Sequence, residues 1–197
     1  MSAAAILILA AGASSRMRGG DKIMEEIAGA PLLTVLTTRA LAAGSEVFVA
    51  LPSADHPRAA ALSGLDVTIV PVPDAAEGMA RSIACGVAAL PVDTSGVMLL
   101  PADMPELSQA DLTAILRAFA GGMARHVVRG AATDGTAGHP VVFPARCFDD
   151  LSALHGDQGA RSILNAETDI LTVALPAQHA LTDLDTPEEW AAWRAKQ

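Results

Sequence analysis

Seven short apolar runs punctuate the chain, at "AAILILA", "EVFVAL", "DVTIVP", "GVMLLP", "RHVVRG", "HPVVFP" and "DILTVAL". Turn-forming residues bound them, and most lack the polar alternation of a half-exposed strand, so they are predicted as strands buried on both faces. Between them lie three longer stretches of helical character: "PLLTVLTTRALAAG", with Pro31 in the first turn and Gly44 as the stop; "GMARSIACGVAAL"; and "SQADLTAILRAFAGG", with Ser108 as N-cap. Strand alternating with helix predicts an α/β fold with a mostly parallel sheet. The Gly- and Thr-rich "RGAATDGTAGHPVVF" reads as a loop or hairpin leading into a strand. No repeat, low-complexity segment or linker divides the sequence, and residues 1–197 are expected to form one domain.

In open α/β sheets ligands gather beyond the carboxyl ends of the strands, so chemistry is sought just after each apolar run. The first run ends at Leu9 and passes through Ala10, Ala11, Gly12, Ala13, Ser14 and Ser15 to Arg16, Met17 and Arg18, then to Asp21 and Lys22. Small side chains let successive backbone N–H groups turn inward and cradle a phosphate, with Arg16 and Lys22 to neutralise its charge. The segment is not a P-loop, because Lys22 stands between Asp21 and Ile23. Nor is it a dinucleotide fingerprint, because Gly12-Ala13-Ser14 breaks G-x-G-x-x-G.

The fourth run is followed by Ala102 and Asp103-Met104-Pro105. A carboxylate there suits Mg2+ held between phosphate oxygens, and the plainer alternative is a turn. Asp183 and Asp185, two apart in an extended segment, would face one cation together. Thr186 and Pro187 read as the N-cap and first residue of a helix, which leaves Asp183 as the better metal candidate. Glu77, Gly78, Met79 and Ser82 stand at a helix start, whose partial positive charge favours an anion or a polar base edge, although taken alone the feature reads more readily as an ordinary helix start. "HGDQGARSIL" gathers His155, Asp157, Gly159 and Arg161 in a polar turn.

Charge and composition narrow the partners. A formal net charge of -9 and 3% aromatic residues with no Tyr argue against a nucleic-acid scaffold. No apolar run approaches the roughly 20 residues of a membrane span. The first run has no basic stretch before it, so a strand is expected there and not a leader. Cys85 and Cys147 are too far apart in sequence to suggest a metal site and too few for a disulfide framework, and a cytoplasmic setting is expected.

Together these segments resemble the nucleotidyltransferases that attach a nucleotide to the molybdopterin cofactor, most closely the molybdenum cofactor cytidylyltransferases. The resemblance is carried by Leu9-Ala10-Ala11-Gly12-x-Ser14-x-Arg16-Met17 with Lys22, "GAPLL" at 29–33, Glu77-Gly78-Met79 with Ser82, and Asp103-Met104-Pro105. It continues through Gly138-His139-Pro140, Gly156-Asp157-x-Gly159-Ala160-Arg161 and Asp183-x-Asp185-Thr186-Pro187-Glu188. It implies a Rossmann-like three-layer sandwich, nucleotide-diphospho-sugar-transferase-like, that binds CTP with its phosphates against the opening loop, Arg16 and Lys22. It further implies Mg2+, or Mn2+ in its place, on Asp103 with Asp183 or Asp185, and an acceptor side formed by His139, Pro140, Asp157, Gly159 and Arg161. Ala11 stands where guanylyl-transferring relatives carry Gly, which tilts the nucleotide toward cytidine.

The implied reaction is transfer of CMP to the terminal phosphate of molybdopterin, free or molybdenum-bound, with a recipient molybdoenzyme or its chaperone as a partner. Two residues depart from the family pattern: Arg18, which either meets a phosphate or stays solvated, and Ala102. Guanylyl transfer, or cytidylyl transfer to methylerythritol phosphate or another small phosphate, is the alternative. A non-catalytic cofactor chaperone is disfavoured by the presence of both Lys22 and Asp103.

Overall fold

The computed structural model describes residues 3–156 and 159–197. In chain order its elements are β1 (Ala5–Leu9), β2 (Glu26–Ile27), β3 (Ala30–Pro31), α1 (Leu32–Ala42), β4 (Val47–Leu51), β5 (Thr68–Pro71), α2 (Met79–Ala88) and β6 (Gly96–Pro101). They continue with α3 (Gln109–Gly121), β7 (Val127–Ala131), β8 (Ala137–Pro144), α4 (Phe148–Ser152), α5 (Arg161–Ala166), β9 (Ile170–Ala174) and α6 (Pro187–Arg194). Seven strands make one sheet in the order β5-β4-β1-β6-β8-β7-β9, and β2 pairs with β3 in a small hairpin. The sheet is mostly parallel, with β8 running against both of its neighbours.

Successive strand residues point to opposite faces, and over the central strands β1, β4, β6, β7 and β8 both faces are covered, which is why these read as unbroken apolar runs. The runs at β5 and β9, expected to be buried in the same way, lie at the two edges of the sheet and are mostly exposed or half-buried. On one side Ile6, Ile8, Met98 and Leu100 pack with Leu32 and Leu36 of α1, Leu112 and Ile115 of α3, and Trp190 of α6. On the other, Leu7, Phe48, Val97 and Leu99 meet Ile83 and Val87 of α2 and Leu151 of α4. The result is a three-layer α/β arrangement. Helix α2 lies close on β1: a Cβ built on Gly86 would stand 2.2 Å from Cδ2 of Leu7.

The three anticipated helices form, and Ser108 caps α3, accepting from the Asp111 N–H while the Asp111 carboxylate accepts from the Ser108 N–H. Pro31, expected in the first turn of α1, is instead its N-cap. Its ψ of 142° is extended, and it pairs with Glu26 in the β2–β3 hairpin. The Gly-rich segment is the β7–β8 hairpin. Thr186 and Pro187 open α6 as read. Among the described residues no helix is long and apolar enough to cross a membrane.

Strand β1 is followed on one side by β4 and β5, after which the chain crosses to β6 on the other side, making β1/β6 the switch point where such sheets open a crevice. The Ala10 N–H donates to the Ala50 carbonyl at 3.1 Å, and the Ala102 N–H to the Leu9 carbonyl at 3.3 Å. The loops after β1 and β6 therefore leave the sheet side by side.

Candidate active site

The loop after β1 is held by a residue far from it in sequence. Arg58, buried in the turn of helix spanning residues 57–62, donates from Nη1 to the Ala10 carbonyl at 2.6 Å and from Nη2 to Ser14 Oγ at 3.1 Å. Its fork also grips Asp21 from Nε at 2.6 Å and from Nη2 at 2.9 Å. Ser14 sits in the left-handed region at φ 51°, a strained setting for serine, and donates its hydroxyl to Asp21 at 3.0 Å. Burial pushes the Asp21 carboxyl up, but the bonds and charge of Arg58 outweigh it and hold Asp21 below the usual carboxylate range. One guanidinium thus fixes both ends of the small-residue loop.

Lys22 is the hub of the charged centre. Its ammonium donates to Asp103 Oδ2 at 2.5 Å and to Asp185 Oδ1 at 2.7 Å. Burial alone would lower the Lys22 pKa, yet the two carboxylates raise it above the ordinary lysine value. Asp185 also pairs with Arg16 at 2.8 Å, though the Arg16 side chain is 67% exposed. Oδ1 of Asp103 is buried with no hydrogen-bond partner among the described residues. Beside it, partial burial and then the charge of Asp103 push the Asp183 carboxyl up. Among the described residues no three His, Cys, Asp or Glu side chains gather as a complete ligand set. A spare buried carboxylate oxygen beside a second carboxylate nevertheless fits a divalent cation that draws its remaining ligands from a substrate's phosphates.

Two cavities open beyond the strand ends. The first, about 310 Å3, is lined by Leu9, Ala10, Ala11, Gly12 and Ser14 of the loop, by Lys22, Arg58 and Asp103, and by Gly78, Met79 and Ser82 at the start of α2. A Cβ on Gly12 would meet nothing within 4 Å, so the cradle has room at its centre. Gly78 permits the sharp approach to α2 at φ 109°. The second cavity, about 320 Å3, shares Leu9 and Met79 with the first and adds His139, Gly159 and Arg161 together with Arg129 and Phe143. Burial and the nearby Arg129 charge keep the His139 pKa low, and its Nδ1 is buried without a partner among the described residues.

Most of the residues read from the sequence as a site are thereby brought together. Glu77 is exposed and outside the first cavity's wall, where Ala75 and Ala76 of its turn stand instead. Pro140 is buried outside the second cavity's wall. Asp157 lies outside the described residues. Arg18 points away and pairs with Glu188 at 2.6 Å, both side chains mostly exposed.

A model of the MobA-like NTP transferase domain matches residues 6–171. The chain belongs to that family. As a MobA-like domain it is a nucleotidyltransferase, and the match covers the opening loop, Lys22 and Asp103 but stops short of Asp183 and Asp185. It is similar to the purine catabolism protein PucB of Bacillus subtilis, 33% identical over 120 residues, or 59% of this chain and 56% of PucB. It is also similar to the bifunctional protein GlmU of Kineococcus radiotolerans, 34% identical over 123 residues, or 60% of this chain and 25% of GlmU. The MobA-like chain thus matches about a quarter of one curated relative and just over half of the other. Among solved structures, Rv0371c of Mycobacterium tuberculosis superposes with a TM-score of 0.81 at 28% identity, covering 98% of each chain.

Two residues of the site were not read from the sequence. Arg58 stands in "HPRAAAL", where it looks like any surface arginine in a helical turn, and Arg129 interrupts the strand "RHVVRG". Each takes its role from partners in other parts of the chain, Ala10, Ser14 and Asp21 for Arg58 and the wall of the second cavity for Arg129, a setting no local window displays.

Proposed function

We propose that this chain transfers CMP from CTP to the terminal phosphate of molybdopterin, free or molybdenum-bound, with release of pyrophosphate and dependence on Mg2+ or, in its place, Mn2+. The observation that carries this reading is the meeting of two unlike cavities at Leu9 and Met79. One is a backbone cradle ending in Lys22 and Asp103, suited to a triphosphate. The other joins an apolar wall of Leu99, Val141 and Phe143 to two arginines, suited to a flat ring system that ends in a phosphate. A sugar acceptor would need partners for several hydroxyls, and that wall has few neutral polar side chains besides Asn165.

The step is in-line attack by the acceptor's phosphate oxygen on the α-phosphorus of CTP, forming one P–O bond as the bond to pyrophosphate breaks. It needs positioning and charge neutralisation more than a covalent nucleophile. The loop's backbone N–H groups, fixed by Arg58, receive the phosphates. Lys22 follows the charge that builds on the leaving pyrophosphate, with Arg16 at the rim. Asp103 and Asp183 would hold the divalent cation, which supplies Lewis-acid charge at the reacting phosphates. Ala11 in the cavity wall supports cytidine as the base, and His139, neutral, offers a hydrogen bond on the acceptor side.

The test is to incubate the purified protein with CTP, GTP or ATP, Mg2+, and either molybdopterin or methylerythritol phosphate. Pyrophosphate release with CTP and molybdopterin together is expected. Release with methylerythritol phosphate alone would overturn the assignment.

A further inference from the structure

The geometry points to Arg129, acting with Arg161, as the residue that selects a dianionic phosphomonoester on the acceptor, the apolar wall beside it taking that acceptor's flat body. This rests on the two-substrate reading above and specifies the second substrate by charge. The sequence holds 22 acidic and 13 basic Lys and Arg residues, so counter-charge is plentiful. Arg16, Arg18, Lys22, Arg58, Arg81, Arg146 and Arg194 each pair with a carboxylate.

Arg129 does not, among the described residues, and although Arg39, Arg117, Arg125, Arg161 and Lys196 do not either, only Arg161 of these shares a cavity wall with it. Its Nε donates to the Gly138 carbonyl at 2.9 Å and its Nη2 to the Ala137 carbonyl at 3.4 Å, which aim the guanidinium without neutralising it. Arg161, exposed at the start of α5, lines the same cavity with no carboxylate partner among the described residues. The cavity's described lining holds no Asp or Glu.

Burial and then the like charge of Arg161 both work against the charged form of Arg129. In a protein with surplus carboxylates, a half-buried arginine facing another without a counter-ion is a standing cost that an anion between them removes. A phosphomonoester brings close to two negative charges and three acceptor oxygens at neutral pH, whereas a carboxylate brings one charge and a hydroxyl none. His139, beside Arg129 with its buried Nδ1 unpartnered among the described residues, completes the polar side of the wall.

The experiment is calorimetric titration of the full chain with phenyl phosphate, benzoate and phenol, alongside acceptor kinetics. Phenyl phosphate is expected to bind more tightly than the other two. Arg129→Gln and Arg161→Gln should each weaken it by about tenfold or more, as expected for loss of a charged hydrogen bond. Arg129→Lys should recover part of the loss, and CTP titration of each variant reports whether the nucleotide side is intact.

Equal binding of benzoate and phenyl phosphate, or unchanged affinity in both glutamine variants, would sink the proposal. Transfer to methylerythritol phosphate with a KM that rises in Arg129→Gln would overturn the molybdopterin reading and leave the arginine's role standing. Transfer to molybdopterin with an unaltered acceptor KM in both variants would do the reverse.

Discussion

Lys22 is the side chain on which the site turns, because it occupies with one ammonium the ground between Asp103 and Asp185. Replacing it by Met leaves those carboxylates facing each other and Asp183, so Mn2+ titrated without nucleotide should bind more tightly than to the parent. CTP should bind more weakly, and turnover should fall by roughly a hundredfold or more, the scale of losing a charge-stabilising group. Electron paramagnetic resonance of Mn2+ reads the first effect independently of activity. Asp103→Ala should likewise leave a folded protein whose metal-dependent turnover drops by orders of magnitude. Both residues were legible because each stands in the segment that leaves an apolar run, Asp103 two residues past β6 and Lys22 at the end of the small-residue loop after β1. Arg58 was not, and its loss should show in stability: Arg58→Met strands Asp21 and should cost about 3 kcal/mol in urea denaturation, with Asp21→Asn recovering part of it. Asp21's lowered pKa means that its contribution is present above the unfolded carboxylate pKa of about 3.9 and is lost as pH falls through the lower folded value. The parent's melting temperature should therefore fall more steeply below about pH 4 than that of Arg58→Met.

At the scale of elements, the anticipated strands and helices follow from hydrophobic pattern alone, since a strand buried on both faces and a capped helix each carry a local signature. The direction of β8 carries none: an antiparallel strand buried on both faces has the same composition as a parallel one. Helices α4 and α5, five and six residues long, fall below the length at which periodicity declares itself. The glycine of "GHP" does have a physical reason once β8 is in place. A Cβ on Gly138 would stand 2.0 Å from the Ala180 carbonyl oxygen, a backbone atom with no room to yield, and the His139 N–H bonds to that same oxygen at 2.8 Å. Gly138→Ala should therefore push β8 from the 177–181 segment and displace His139. Acceptor KM should rise more than CTP KM, together with a destabilisation of about 1–3 kcal/mol from overpacking.

On the scale of the whole molecule, the charged centre is assembled from both ends of the chain. The family match ends at 171, yet Asp183, Asp185 and α6 return to the opening loop, and Trp190 of α6 is buried in the core that backs it. Trp190→Ala should cost about 3–5 kcal/mol and loosen the Lys22–Asp185 pair with it, seen as lower turnover at temperatures where the fold persists. The sequence made the acidic pair visible but not its partner, because the separation of 163 residues from Lys22 to Asp185 is closed only by the sheet. The reversed strand β8 has a consequence of its own. Because it runs backwards, it brings its beginning, Ala137 to His139, to the edge where β1 and β6 finish; in the proposed reading the acceptor-facing groups would then come from this hairpin and from the start of α5, and the nucleotide-facing ones from strand ends. A hairpin can be lengthened, shortened or exchanged without re-registering the strands that would hold the triphosphate. The two halves of such an enzyme are therefore separable parts, and β7–β8 is the place to graft if its choice of acceptor is to be re-engineered.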